Sequence, residues 1–203
     1  MSEEERGDGM VAIGMERPIW DRFFLVAPLV VVGTREGEGY DLAPKHMATP
    51  IGWGSYFGFV CSPRHSTYHN ARRSETFTVS FPRPDQVVEA SLAAQPRQEP
   101  GGSPPGIEIL PTVRAEVVDG ILLDGAHLHL ECELDRIIDG FGENSLIVGR
   151  VVAARVRKEA LRTTGQSDTE LLRSVPILAY VSPGRVAEVS STEAFPFPAD
   201  FKR

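Results

Sequence analysis

The run HLHLECELDRII, from His127 to Ile138, alternates apolar and polar side chains with a period of two. Leu128, Leu130, Cys132 and Leu134 fall on one side, and His127, His129, Glu131, Glu133 and Asp135 on the other. Such a run reads as a strand with one face in a core and a polar face toward solvent or an interface. Strand-like segments recur along the chain: LVVVGT (29–34), YFGFVCS (56–62), FTVSF (77–81), SLIVGRVVAARVR (145–157) and ILAYVS (177–182). After the first of these, Gly37 and Gly39 permit a tight reversal. Gly and Pro contribute 19 and 16 of the 203 residues, which predicts many turns and short elements. Helices are expected at 18–24, at 66–74 with Ser66 and Thr67 as capping hydroxyls, and at 84–95. Residues 96–105 and 163–170 read as loops. The expected fold class is mainly β: an antiparallel barrel or sandwich with peripheral helices, in one domain.

Charge narrows the partners. Lys and Arg number 21 against 28 Asp and Glu, a formal net charge of −7. Without a basic block, the chain is a poor match for a phosphate backbone, so no nucleic-acid partner is expected. Two cysteines, Cys61 and Cys132, make no disulfide framework and point to a reducing compartment. The longest apolar stretch, 23–33, contains Pro28 and is shorter than a membrane span. The first residues, MSEEERGDG, are acidic where a secretory leader would be basic. Together these predict a cytoplasmic protein without a membrane partner.

Several signatures are missing. No G-x-G-x-x-G follows a strand, and there is neither a Walker A loop nor a G-x-S-x-G elbow. His127, His129 and Glu133 have a spacing similar to the metal motif of cupins, which makes a metal-dependent barrel one alternative. On a straight strand, however, His129 and Glu133 would stand about 13 Å apart, too far for one ion without a bend.

More informative is CSPRHSTYHN, from Cys61 to Asn70, where a buried strand runs into a helix start. Unsatisfied N–H groups, the positive end of the helix dipole and the fixed charge of Arg64 can together hold a phosphate dianion.

With that corner in place, the chain from about residue 15 to 190 resembles the flavin reductase-like family, the FMN-binding split barrels. The resemblance rests on an ordered set of segments: PLVVVGT, DLAPKHMATPIGW, FGFVCSPRHSTYHNARRSETFTVSFP, LHLECELDRIIDG and GENSLIVGRVV. It implies an antiparallel split β-barrel domain over 15–190, an acidic N-terminal stretch (1–14) and an aromatic tail (191–203) with Phe195, Phe197 and Phe201. It implies that Ala43, Pro44, Lys45, Met47, Ala48 and Thr49 lie along a flavin, FMN in preference to FAD. Ser62, Arg64, His65, Ser66 and Thr67 would surround the flavin phosphate. The implied activity is NAD(P)H-dependent flavin reduction, with the nicotinamide nucleotide as a transient co-substrate and a homodimer as the assembly. Two departures stand out. Gly142, Glu143 and Asn144 occupy the place where many members carry Gly-Asp-His, and Trp53–Tyr56 replace a proline-bearing turn. The first departure makes a flavin-binding electron carrier or sensor the alternative reading. Hydride transfer requires no acid or base, so no residue is assigned a catalytic role.

Overall fold

A computed structural model describes residues 9–16, 18–95 and 109–197. In chain order its elements are β1 (Leu25–Pro28), β2 (Val30–Glu36), β3 (Gly39–Lys45), β4 (Ala48–Pro50), β5 (Tyr56–Cys61), α1 (Ser66–Ser74) and β6 (Thr76–Phe81). There follow α2 (Val87–Leu92), β7 (Thr112–Arg114), β8 (Ile121–Leu123), β9 (Leu128–Phe141) and β10 (Asn144–Val156). The last are α3 (Asp168–Ser174), β11 (Ile177–Ser182) and β12 (Arg185–Val189).

Seven strands form one sheet in the order β3-β2-β6-β9-β10-β5-β4, every neighbouring pair antiparallel. Its two edge strands, β3 and β4, are separated in sequence only by His46 and Met47. A flat seven-stranded sheet would hold its edges ~29 Å apart, whereas three Cα steps reach at most ~11 Å. The sheet therefore curls on itself, giving the split barrel expected from the sequence. Register shifts along the β9–β10 pair supply part of this bend. A smaller sheet, β1-β11-β12, and the β7–β8 pair complete the architecture.

The barrel interior is filled by Val30, Val32, Phe57, Phe59, Phe77, Val79, Cys132 and Ile147. Phe59 and Phe77 meet edge to face with centroids 5.2 Å apart. Gly149 makes room for this packing, because a Cβ there would lie 2.5 Å from the Phe77 ring. On the other side of β2, Val31 joins Leu42, Ala90, Ile121 and Leu123 in a second cluster. Burial on both faces explains the continuous apolar run of β2.

Several local expectations change. The 18–24 helix is a single 3-10 turn at Ile19–Asp21, and 84–95 divides into a 3-10 turn (Pro84–Gln86) followed by α2. The 163–170 loop ends in α3, whose N-cap Ser167 accepts from the Glu170 N–H. Residues 96–105 and Phe201 lie outside the described residues. Nor is the polar face of β9 a solvated surface in its first half. Glu131 is only 1% exposed and accepts the backbone N–H groups of Glu116, Val117 and Val118 at 2.6–3.1 Å. His129 Nε2 donates to the Leu123 carbonyl at 2.8 Å. The loop between β7 and β8 thus covers this face, because its backbone donors need the carboxylate.

Candidate functional site

β5 leaves the core at Cys61, and the chain turns through Ser62, Pro63, Arg64 and His65 into α1. The His65 N–H donates to the Ser62 carbonyl at 3.0 Å, and the Arg64 N–H to Ser62 Oγ at 3.3 Å. His65 is the N-cap of α1, in extended backbone and without a side-chain cap. The two hydroxyls expected to cap the helix are used elsewhere or buried. Ser66 Oγ donates to Asp41 Oδ2 on β3 at 3.0 Å, and Thr67 is buried. The first-turn N–H groups therefore have no side-chain acceptor of their own and suit an anion.

The second half of the site comes from the two barrel edges. Ala43, Pro44 and Lys45 are half-buried at the end of β3, and Met47 is exposed in the turn. Val60 donates its N–H to the Met47 carbonyl at 2.8 Å, while Ala48 and Thr49 pair with Phe59 and Gly58. Ala48 belongs to the core cluster, so its methyl group packs inward, whereas Thr49 is exposed. Lys45 joins the halves, lying near enough to Cys61 and His65 to act on the charge of both. Closure of the barrel thus brings 43–49 and 62–67 to one corner.

Electrostatics favour an anion there. Burial, reinforced by the Lys45 ammonium, holds His65 and His46 below the usual imidazole range. His46 also stacks on Tyr180 of β11 at 4.3 Å. Burial pushes the Cys61 thiol up despite Lys45, so it is no thiolate nucleophile at neutral pH. Lys45, Arg64 and the start of α1 fit a phosphate dianion, with Ser62 offering a hydroxyl.

One partner had not been foreseen. Arg64 Nη2 meets Glu143 Oε1 at 2.6 Å. Glu143 sits in a two-residue turn between β9 and β10, opened by Gly142 at φ 63, a conformation that favours glycine. A cleft of about 360 Å³ lies beneath this pair, lined also by Tyr68, Asp139 and Ser145. Asp139 Oδ1 accepts from Tyr68 Oη at 3.1 Å and from Ser145 Oγ at 2.6 Å. The sequence marked this region only as G-E-N. The DG pair at Asp139–Gly140 was the available signal for the buried-hydroxyl acceptor.

The metal alternative has no support in the geometry. His127 and His129 contact the carbonyls of Pro176 and Leu123, and Glu133 pairs with Arg150. Among the described residues, no three His, Cys, Asp or Glu side chains gather as a metal site. Nor, among them, is any helix long and apolar enough to cross a membrane.

The family model described as flavin reductase like domain matches residues 22–182. Nitrilotriacetate monooxygenase component B from Bacillus cereus superposes with a TM-score of 0.76 at 20% identity, covering 92% of this chain and 98% of that one. Flavoredoxin from Methanosarcina acetivorans gives 0.74 at 16% identity, covering 94% and 96%. An FMN-binding protein from Thermus thermophilus, with bound 1-cyclohex-2-enone, gives 0.72 at 22% identity, covering 90% and 97%. At these identities, the solved structures establish the shared split-barrel fold.

Proposed function

The chain belongs to the flavin reductase-like family, a family of flavin oxidoreductases, and on that premise we propose that it binds FMN at the β3–β4/α1 corner and is reduced by NAD(P)H. The observation that carries this reading is the convergence of Lys45, Arg64 and the uncapped start of α1. In this reading, Arg64 and the first N–H groups of α1 hold the phosphate, with Ser62, His65, Ser66 and Thr67 around it. Ala43, Pro44, Lys45, Met47, Ala48 and Thr49 run along the ring system and ribityl chain, largely through backbone groups. A terminal phosphate dianion makes fuller use of the helix end and Arg64 than the singly charged phosphates of a dinucleotide, which favours FMN over FAD.

When bound, FMN supplies the redox chemistry, taking a hydride from reduced nicotinamide and passing electrons to an acceptor. The protein's part is to bind and orient. Asn144, exposed beside the corner, can donate its amide to the nicotinamide carboxamide. The chain has no dinucleotide-binding motif, so the nicotinamide nucleotide would engage transiently over the ring. The stretch Gly142–Glu143–Asn144, in place of Gly-Asp-His, favours a second reading as a flavin-binding electron carrier.

Fluorescence titration with FMN followed by anaerobic mixing with NADH or NADPH tests both readings. Stoichiometric uptake and bleaching that saturates with nicotinamide are expected. Bleaching by dithionite alone would leave the carrier reading, and failure of both FMN and FAD to bind would end both.

A further inference from the structure

The cleft beneath the Arg64–Glu143 pair extends the corner on its phosphate side. Ser62 and Arg64 line it, and none of residues 43–49 does. Its volume of about 360 Å³ falls near the lower end of the range of about 300–1,000 Å³ typical of small-molecule sites. Arg64 is the one cation on its lining, facing the carboxylates of Asp139 and Glu143. Once a flavin phosphate engages Arg64, the cleft is left with acceptors and negative charge. A second phosphate or a carboxylic acid is then repelled, and an apolar guest would strip these groups of water without replacing it. A ligand here must bring donors.

Asp139 gives the cleft its chemical preference. Tyr68 and Ser145, 4% and 0% exposed, both donate to its Oδ1. These two bonds fix the carboxylate and use the lone pairs of that oxygen. Its Oδ2 has no hydrogen-bond partner among the described residues, and Asp139 itself is exposed. Two lone pairs on one fixed oxygen match two adjacent hydroxyls, the arrangement a ribose offers. A carboxylate receiving a ribose hydroxyl is also how dinucleotide sites elsewhere recognise that sugar. Two ligands bring a ribose beside a flavin phosphate. One is a nicotinamide nucleotide whose carboxamide meets Asn144, which also lines the cleft. The other is FAD, whose adenosine continues from the phosphate.

We propose that this cleft is a ribose site, in which Asp139 accepts from the vicinal hydroxyls of a nucleotide. The proposal rests on the reading of the corner as a flavin-phosphate site.

The first arm of the test is an NMR titration of FMN-saturated protein with nicotinamide riboside and with 1-methylnicotinamide. Both carry the same ring and charge, and only the riboside has the diol. The riboside should bind about tenfold more tightly and shift the Gly140 and Gly142 amides. Asp139→Asn still accepts from Tyr68 and Ser145 but presents an amide group where Oδ2 stood. The two compounds should then bind within about twofold of each other. The second arm titrates flavin-free protein with FAD and FMN. If adenosine is the source, the FAD-to-FMN affinity ratio should fall about tenfold in Asp139→Asn.

A change of ratio in either arm supports the site and names its source. Ratios that Asp139→Asn leaves unchanged in both arms overturn it, as does equal binding of riboside and methyl compound together with an unchanged flavin ratio. Neither arm needs hydride transfer, so flavin bleached by dithionite alone would end the reductase reading and leave the ribose result standing. Failure of both FMN and FAD to bind would end the corner reading and this proposal with it.

Discussion

Arg64 Nη2 and Glu143 Oε1 lie 2.6 Å apart and tie the β5–α1 turn to the β9–β10 hairpin. Both side chains are mostly exposed, so the pair adds little stability and costs little to separate. Its importance is positional. Glu143 neutralises the cation that a phosphate at this corner would use.

Removing either partner should change FMN affinity in opposite directions. Arg64→Ala should weaken FMN roughly 10- to 150-fold, the worth of a charged hydrogen bond, and leave riboflavin nearly unchanged. Glu143→Gln should tighten FMN by about threefold, by freeing Arg64 and removing a like charge from the phosphate. Flavin fluorescence titrations with both ligands measure each change. Equal losses for FMN and riboflavin in Arg64→Ala would mean that Arg64 acts through packing.

Acidification should destabilise the fold through its histidines. Burial lowers His46, His65 and His129 from their ordinary 6.5, with Lys45 adding to the first two and Arg155 to the third. Above that value, both folded and unfolded chains carry neutral rings, and the stability is fully present. As pH falls below it, the unfolded chain takes up protons first, and stability declines until the folded rings titrate. Urea midpoints should therefore drop between pH 7.5 and 5.5, and His129→Gln should reduce that drop. For the same reason, flavin reduction should vary little between about pH 6 and 8, a span in which an ordinary His would titrate. A step near 6.5 in the rate would mean that His65 or His46 is not held below its ordinary range.

Glu131 should prove a structural anchor. Burial opposes its charge, but three backbone N–H groups and Arg155 outweigh that and hold its carboxyl below the usual range. Glu131→Ala would strand those donors and should cost about 3–5 kcal/mol. Glu131→Gln retains an acceptor and should cost less. Denaturant unfolding would show a lower midpoint at nearly constant m-value. FMN affinity, per molecule folded, should be unaffected in Glu131→Gln.

The protein should be a dimer. Trp20, Phe24, Val26 and Trp53 are 55%, 68%, 73% and 90% exposed in the single chain. Apolar side chains of this size, left wet on one molecule, mark an interaction surface. Light scattering at micromolar concentration should report twice the chain mass. A monomer there would require another partner for these residues.

The sequence by itself determined the strands whose patterning is local. The alternation in His127–Ile138, the β-branched run in β2 and the span of α1 could all be read directly, because side-chain period and propensity act between near neighbours. It also marked Arg64 as a candidate anion ligand, since an Arg beside a helix start adds a fixed positive charge to the helix dipole. Only the tertiary structure decided which residues share a corner. Lys45 acts on the charge of Cys61 and His65 because the sheet curls until its edges are two residues apart. Ser66 serves Asp41 rather than capping α1 for the same reason: β3 brings a charged acceptor to it. Glu143 reaches Arg64 from 79 positions away, and Glu131 is buried under a loop that its own polar pattern could not announce. Such pairings depend on how the chain returns to itself, and that is set by burying both faces of the sheet rather than by any local pattern.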